Sequence, residues 1–162
     1  MQDSQLIIIK DSRERHGFIY PNMEICKLDY GDYSVKGLEN IISIERKDSI
    51  SEIFSNLGTK KNKDRFYKEL NGLSQYKYKF IVIEATLAQL MCGSRFSRLS
   101  PEYIINLIHK IYCDYGIPTL FLDHGQYAQK YVGSLLEQIA SKELNNKVRL
   151  EDISAIQSNV QS

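Results

Sequence analysis

The sequence predicts an α/β fold, a mixed central sheet flanked by helices, on three observations. Short apolar runs rich in β-branched residues recur along the chain, stripes of helical period lie between them, and capping residues and glycines punctuate the two. Leu6 to Lys10 (LIIIK) reads as a buried first strand, and Glu24 to Leu28 as a weaker second one. Tyr30-Gly31-Asp32-Tyr33 is a turn into a third short strand that Gly37 ends. In Ile41 to Lys47 (IISIERK), alternation puts Ile42, Ile44 and Arg46 on one face and Ser43, Glu45 and Lys47 on the other. Ile50, Ile53, Phe54 and Leu57 form a helical stripe, with Ser49 and Glu52 in capping-box register and Gly58 at its end. Phe66, Leu70 and Leu73 mark a helix from about residue 64 to 75. Tyr78 to Glu84 is a buried strand, Ser100-Pro101 starts a helix that Gly116 closes, and Ile117 to Leu122 is another strand. Ala128, Val132, Leu135, Leu136 and Ile139 give the last clear helix. Strands separated by helices in the second half imply crossover connections, and the shorter strands of the first half imply a meander at one edge. Beyond Asn145 the chain turns polar, so 143–162 is expected to be a tail, loosely ordered or awaiting a partner.

The 162 residues suffice for one compact domain, and 43% apolar with 25% charged residues is globular composition. Lysine and arginine total 21 against 20 acids, so the whole-chain charge of +1 gives no hint of a polyanionic partner. Cys26, Cys92 and Cys113 are odd in number and lack CxxC spacing, and His16, His109 and His124 have no zinc-like spacing to them. A Walker-type glycine loop is absent, which argues against a nucleotide cofactor, an ATPase or a helicase in this chain. No apolar run approaches the roughly 18 residues of a membrane span, and the N-terminus lacks a signal-peptide pattern. A soluble, intracellular protein, cytoplasmic or nuclear according to host, with no membrane partner is therefore expected.

The chemistry concentrates at Asp32 and, thirteen residues on, Glu45-Arg46-Lys47. Two carboxylates converging from adjacent strands make a hard oxygen site suited to Mg²⁺, and a neighbouring ammonium can stabilise a phosphate under attack. This is the logic of the PD-(D/E)xK nuclease site; the competing reading is a turn aspartate beside a cross-strand ion pair. Asp11-Ser12-Arg13-Glu14, after the first strand, either adds an acid and a phosphate-binding arginine or is a solvated loop whose charges pair. Between residues 58 and 79 lie Lys60, Lys61, Lys63, Arg65, Lys68, Lys77 and Lys79 against Asp64 and Glu69 only. Such a block suits contact with a phosphate backbone, or is a solvated helix face. The Gly93 to Arg98 loop, with Arg95, is a smaller basic candidate whose Phe96 either stacks on a base or anchors the core.

Taken in order, these motifs resemble the nuclease domain of the XPF family of structure-specific DNA endonucleases. The family pattern is D-x-R-E after the first strand, then G-D, then a strand ending in E-R-K; here these are Asp11 to Glu14, Gly31-Asp32 and Glu45-Arg46-Lys47. Asp64-Arg65-Phe66 and Ile81-Val82-Ile83-Glu84 continue the similarity, which spans roughly residues 6 to 142. The resemblance implies a restriction-endonuclease-like fold that cuts DNA phosphodiesters with Mg²⁺ or Mn²⁺ in DNA repair or recombination. It implies a catalytic set of Asp11, Asp32, Glu45, Arg46 and Lys47, with Asp32, Glu45 and Asp11 at the metal. Arg13, Lys60, Lys61, Lys63, Arg65 and Arg95 are then expected on DNA. Alternation turns Arg46 away from Glu45 and Lys47, so it buttresses, with Glu14 as a candidate partner. A lysine beside two carboxylates stays protonated, so Lys47 is assigned positioning and charge stabilisation in place of general-base work.

Two departures follow. Where the family has an aspartate four residues after the lysine, this chain has Ser51, and Glu52 is explained by the capping box. A helix-hairpin-helix module, which commonly follows this domain in the family, has no room here, so a homodimer or a separate DNA-targeting partner is expected. The substrate implied is branched, flapped or single-strand-containing DNA, cut without sequence specificity. The alternative is a catalytically inactive DNA-binding or scaffold domain that keeps the fold.

Overall fold

A computed structural model describes residues 6–160, with side chains described through Glu151. Six strands form one sheet: β1 (Ile8–Asp11), β2 (Met23–Cys26), β3 (Tyr33–Val35), β4 (Ile42–Lys47), β5 (Tyr78–Ile83) and β6 (Thr119–Phe121). Helices α1 (Ile50–Gly58), α2 (Lys60–Leu73), α3 (Leu87–Met91), α4 (Pro101–Tyr115) and α5 (Gln126–Val160) complete the order. The sheet runs β2-β1-β3-β4-β5-β6, with β1 antiparallel to β3, β3 antiparallel to β4, and the pairs β1–β2, β4–β5 and β5–β6 parallel. This is the mixed sheet that the helical crossovers imply.

The meander differs from expectation in one respect. It passes from β1 to β3 to β4, and β2 pairs outside β1 in parallel. The reason lies in its side chains: Ile25 and Cys26 are exposed and nothing covers them, so this strand can only be an edge.

Burial divides the molecule into three layers. On one face of the sheet, Ile53, Phe54 and Leu57 of α1, Phe66, Leu70 and Leu73 of α2, and Ile104, Leu107 and Ile111 of α4 pack on Ile81 and Ile83. On the other, Ile8, Tyr33, Val35, Ile42, Ile44 and Val82 pack against Ala128, Val132, Leu136 and Ile139 of α5. The period-two alternation of β4 and the helical stripes thus sort into two cores as the sequence dictates.

Caps behave similarly. Ser49 Oγ accepts from the Glu52 amide at 3.3 Å, Ser100 Oγ from the Tyr103 amide at 3.2 Å, and Gly116 takes the left-handed conformation at the end of α4. Helix α2 begins at Lys60, four residues before the start expected near residue 64, because Thr59 Oγ1 caps it through the Asn62 amide. The short helix α3 was absent from the sequence reading; its signal is the capping box of Thr86 with Gln89. Helix α5 runs on through the segment expected as a polar tail, reaching Val160.

Candidate active site

The turn before β3 sets the site. Gly31 has φ +80° and sits so close to β4 that a Cβ there would lie 2.2 Å from Ser43 Oγ and 3.1 Å from the Ile44 carbonyl oxygen. Only glycine permits that approach, which lets the Asp32 amide donate to the Ile44 carbonyl at 2.7 Å. The Asp32 carboxylate then accepts from the Arg46 amide at 2.7 Å, so it is locked onto β4 one residue from Glu45. Gly-Asp is therefore a single structural unit.

Asp32 and Glu45 open into a cleft of about 680 Å³ whose walls include Asp11, Arg13 and Glu14 after β1, Tyr30 and Gly31 of the turn, and Arg65, Lys68 and Glu69 of α2. Burial, then the charge of Glu45, holds the Asp32 carboxyl well above the usual carboxylate range, against the opposing hydrogen bond from the Arg46 amide. Two anions crowded into one recess resist joint ionisation, and a cation would relieve them.

Lys47 lies deeper, 4% exposed, behind Glu45. Its Nζ donates to Glu45 Oε1 at 2.7 Å, stands 3.6 Å from Glu52 Oε1 and 4.0 Å from Glu69 Oε2, and sits 5.8 Å from the centre of the Phe66 ring. Burial by itself lowers a lysine, but the charges of Glu45 and Glu52 outweigh it and raise Lys47 above its ordinary value. The ammonium stays charged, as the sequence argument requires.

Asp11 is differently employed. Oδ1 accepts from Arg13 Nε at 2.7 Å and the Arg13 amide at 2.8 Å, while Oδ2 accepts from the Leu28 amide at 2.7 Å and Arg13 Nη2 at 3.1 Å. Burial pushes this carboxyl up, yet the hydrogen bonds from Arg13 and Leu28 more than reverse it, leaving it lowered. Both oxygens are occupied, so Asp11 acts here as a clamp that seats Arg13 and ties the end of β1 to the chain after β2. That arrangement stands against its expected place at a metal.

Arg46 points to the opposite face, as alternation demands. Its Nε pairs with Glu84, its Nη1 donates to the His16 carbonyl at 2.6 Å and approaches Glu14 Oε1 at 3.4 Å, and the guanidinium lies 5.3 Å from the Phe18 ring centre. Glu84 also accepts from the Gly125 amide at 3.1 Å. Arg46 is thus a buttress joining β4, β5, the loop after β1 and the start of α5, with the Glu14 partner that the sequence suggested.

The basic block divides. Arg65 reaches the cleft, while Lys60, Lys61, Lys63 and Arg95 lie outside its walls. Lys77 is paired with Glu143 at 2.7 Å, and Lys79 donates to the Ser74 carbonyl at 2.8 Å, so neither faces the site. Lys68, counted in the basic block but not among the residues expected on DNA, and Glu69, counted only as one of its acids, share the cleft face of α2 with Arg65 at helical spacing; Glu52 was set aside as a cap. Glu52 departs from the expected capping box: it accepts from the Asp48 amide, one residue before the N-cap, at 2.9 Å with one oxygen while the other faces Lys47.

No three His, Cys, Asp or Glu side chains among the described residues converge as a metal-binding group. The pair Asp32 and Glu45 nonetheless fits Mg²⁺ or Mn²⁺ by donor chemistry: two carboxylate oxygens in an electrostatically strained recess, open to water and to substrate phosphate.

Comparison with solved structures bears directly on this arrangement. XPF from Aeropyrum pernix superimposes with a TM-score of 0.63 at 19% identity, covering 82% of this chain and 60% of that one. The same protein in complex with DNA gives a TM-score of 0.66 at 19% identity, covering 85% and 66%. This chain has the fold of XPF. A curated protein of Methanocaldococcus jannaschii, whose name describes an ATP-dependent RNA helicase, is 30% identical over 140 residues. That match takes in 84% of this chain and 15% of the relative, so the XPF-like region spans only a small part of it. No family model matches the chain. The tertiary fold thus agrees with the fold that the motif order implies. Among the described residues, no helix is long and apolar enough to cross a membrane.

Proposed function

We propose that this chain is a metal-dependent DNA endonuclease domain of XPF type, selective for branched, flapped or single-strand-containing DNA. The observation that carries the reading is the cleft itself, with Asp32 and Glu45 at its floor, Lys47 fixed behind Glu45, and Arg13, Arg65 and Lys68 on its walls. Asp32 and Glu45 would hold Mg²⁺ or Mn²⁺; the ion, when bound, supplies Lewis-acid polarisation of the phosphate and a more acidic water. Lys47 orients Glu45 and keeps a permanent positive charge beside the position where phosphate charge develops. Arg13, held by Asp11, and Arg65 and Lys68 on α2 seat the flanking phosphates without reading sequence. The fold likeness to an XPF captured with DNA supports a nucleic-acid partner. The helicase name of the curated relative does not carry over, since no glycine-rich phosphate loop is present here.

The test is cleavage of labelled flap, fork and duplex DNA in Mg²⁺ or Mn²⁺ beside Asp32→Ala and Glu45→Ala. Loss of cutting in both variants is expected, and cutting that survives both overturns the assignment. The engaged state of Asp11 favours a second reading, an inactive DNA-binding domain, for which calorimetry with Mn²⁺ would show no binding dependent on Asp32 and Glu45. The chain either self-associates through its last helix, whose Tyr127, Tyr131, Leu144 and Val148 are exposed, or relies on a separate DNA-targeting partner. Sedimentation at micromolar concentration separates the two, a strict monomer removing self-association.

A further inference from the structure

We propose that the loop from Gly93 to Arg98 is a stacking subsite for an unpaired DNA base, with Phe96 as its platform; this deepens the nuclease reading and rests on it. The loop was open to two interpretations, and burial decides between them. Phe96 is 97% exposed, so it anchors no core. The ring is held out by its neighbours: the Phe96 amide donates to Ser94 Oγ at 3.2 Å, and the Leu99 amide to Ser97 Oγ at 3.1 Å.

Phe96 stands between two open concavities, of about 290 and 320 Å³, and lines both. Polar side chains line both beside apolar ones, with Ser51 and Ser94 shared between them, Gln89 and His124 on one side, and Asn62 on the other. A base laid on the phenyl face would meet hydrogen-bonding groups at its edges, the combination that single-strand binders use. Arg95 and Arg98 flank the ring, both exposed, neither in an ion pair among the described residues, and the loop has no acid. They supply phosphate contacts on either side of a stacked nucleotide.

Position links this surface to the chemistry. Both concavities reach the first two turns of α1. The same helix places Glu52 at 3.6 Å from Lys47 Nζ. One of the concavities also takes in Ser49, two residues beyond Lys47, so Phe96 borders a concavity at the C-terminal end of β4. Paired bases present no free face to a ring at a loop tip, so the subsite selects an unpaired nucleotide beside the cut. That supplies structure selectivity from within this domain.

The chain has no tryptophan, so Phe96→Trp introduces a single reporter. Titrating that variant with dT12 in EDTA at low salt should quench its emission, and dT12 annealed to dA12 should quench less than half as much. Tyr112→Trp, exposed on α4, should stay unquenched by either. Phe96→Ala, which removes no buried contact, should weaken dT12 binding about 5- to 100-fold by anisotropy, leave duplex binding within about twofold, and be rescued by Phe96→Tyr. Equal quenching at positions 96 and 112, or no quenching at 96 while labelled dT12 still binds, overturns the proposal. So does a blue shift at 96 that grows with protein concentration alone, the mark of a protein-docking loop. Because EDTA suppresses cutting, stacking is judged apart from catalysis, and failure of the Asp32→Ala and Glu45→Ala test would leave this result standing.

Discussion

Asp11 and Asp32 face the same cleft from neighbouring strands, yet the structure gives their charges opposite signs of effect. Asp11 is lowered on balance, because Arg13 and two backbone amides favour its ionised form. A depressed carboxyl contributes stability above its unfolded value, and that stability is lost as pH falls through its folded value. Asp32 is raised, so the native state binds its proton more readily than the unfolded chain does, and stability falls as pH climbs through that window. At pH 7 without metal, Asp11→Asn should therefore destabilise, by about 1.5–3 kcal/mol for a lost charged hydrogen-bond set, and Asp32→Asn should raise the melting temperature. The Asp32 difference should vanish in melts run below the unfolded carboxyl value of about 3.9, whereas the Asp11 difference should persist there and fade only as pH falls through its own, lower folded value. A destabilising Asp32→Asn at pH 7 would refute the crowded-anion description. A stability cost of this kind at Asp32 is what the proposed role of that carboxylate would entail.

At the level of elements, β4 matters because it places charged side chains on both faces of the sheet. Glu45 and Lys47 face the cleft, while Arg46 enters a buried network with Glu84, Glu14 and the His16 carbonyl. That network fixes the end of β4 to β5 and to the loop bearing Arg13. Arg46→Met should cost about 3–5 kcal/mol in denaturant unfolding, since it strands two acids with little solvent access. Retention of wild-type stability would show that the ion network is dispensable. The alternation I-S-I-E-R-K already separates these faces, so the division of labour was legible before any coordinates. The partners of Lys47 were less so: Glu69 lies on α2, and only the packing of that helix against β4 brings it within 4.0 Å.

On the scale of the whole molecule, a net charge of +1 conceals a local concentration of both signs. Arg13, Arg65 and Lys68 line the cleft among its acids, Asp32 and Glu45 included. Binding to duplex DNA, measured in Ca²⁺ to prevent cutting, should weaken with salt, and Arg65→Ala or Lys68→Ala should each reduce the log–log slope by about 1. Lys77→Ala should leave it unchanged, because Lys77 is occupied by Glu143. A slope indifferent to Arg65 and Lys68 would place the DNA elsewhere.

Linear order alone suffices for the α/β class, the strands and helices that carry strong periodicity, the two faces of β4, and the charged state of Lys47. Each of these depends on local spacing or on charges near in sequence, which a linear reading can weigh. Tertiary structure decided that β2 pairs outside β1, that Asp11 is taken up by Arg13 and Leu28, that only part of the basic block meets the cleft, and that Phe96 faces solvent. Those outcomes hinge on which surfaces are covered by elements distant in the chain. Burial and pairing at such positions are properties of the assembled fold, since a charge or a ring acquires its role from what the rest of the molecule leaves beside it.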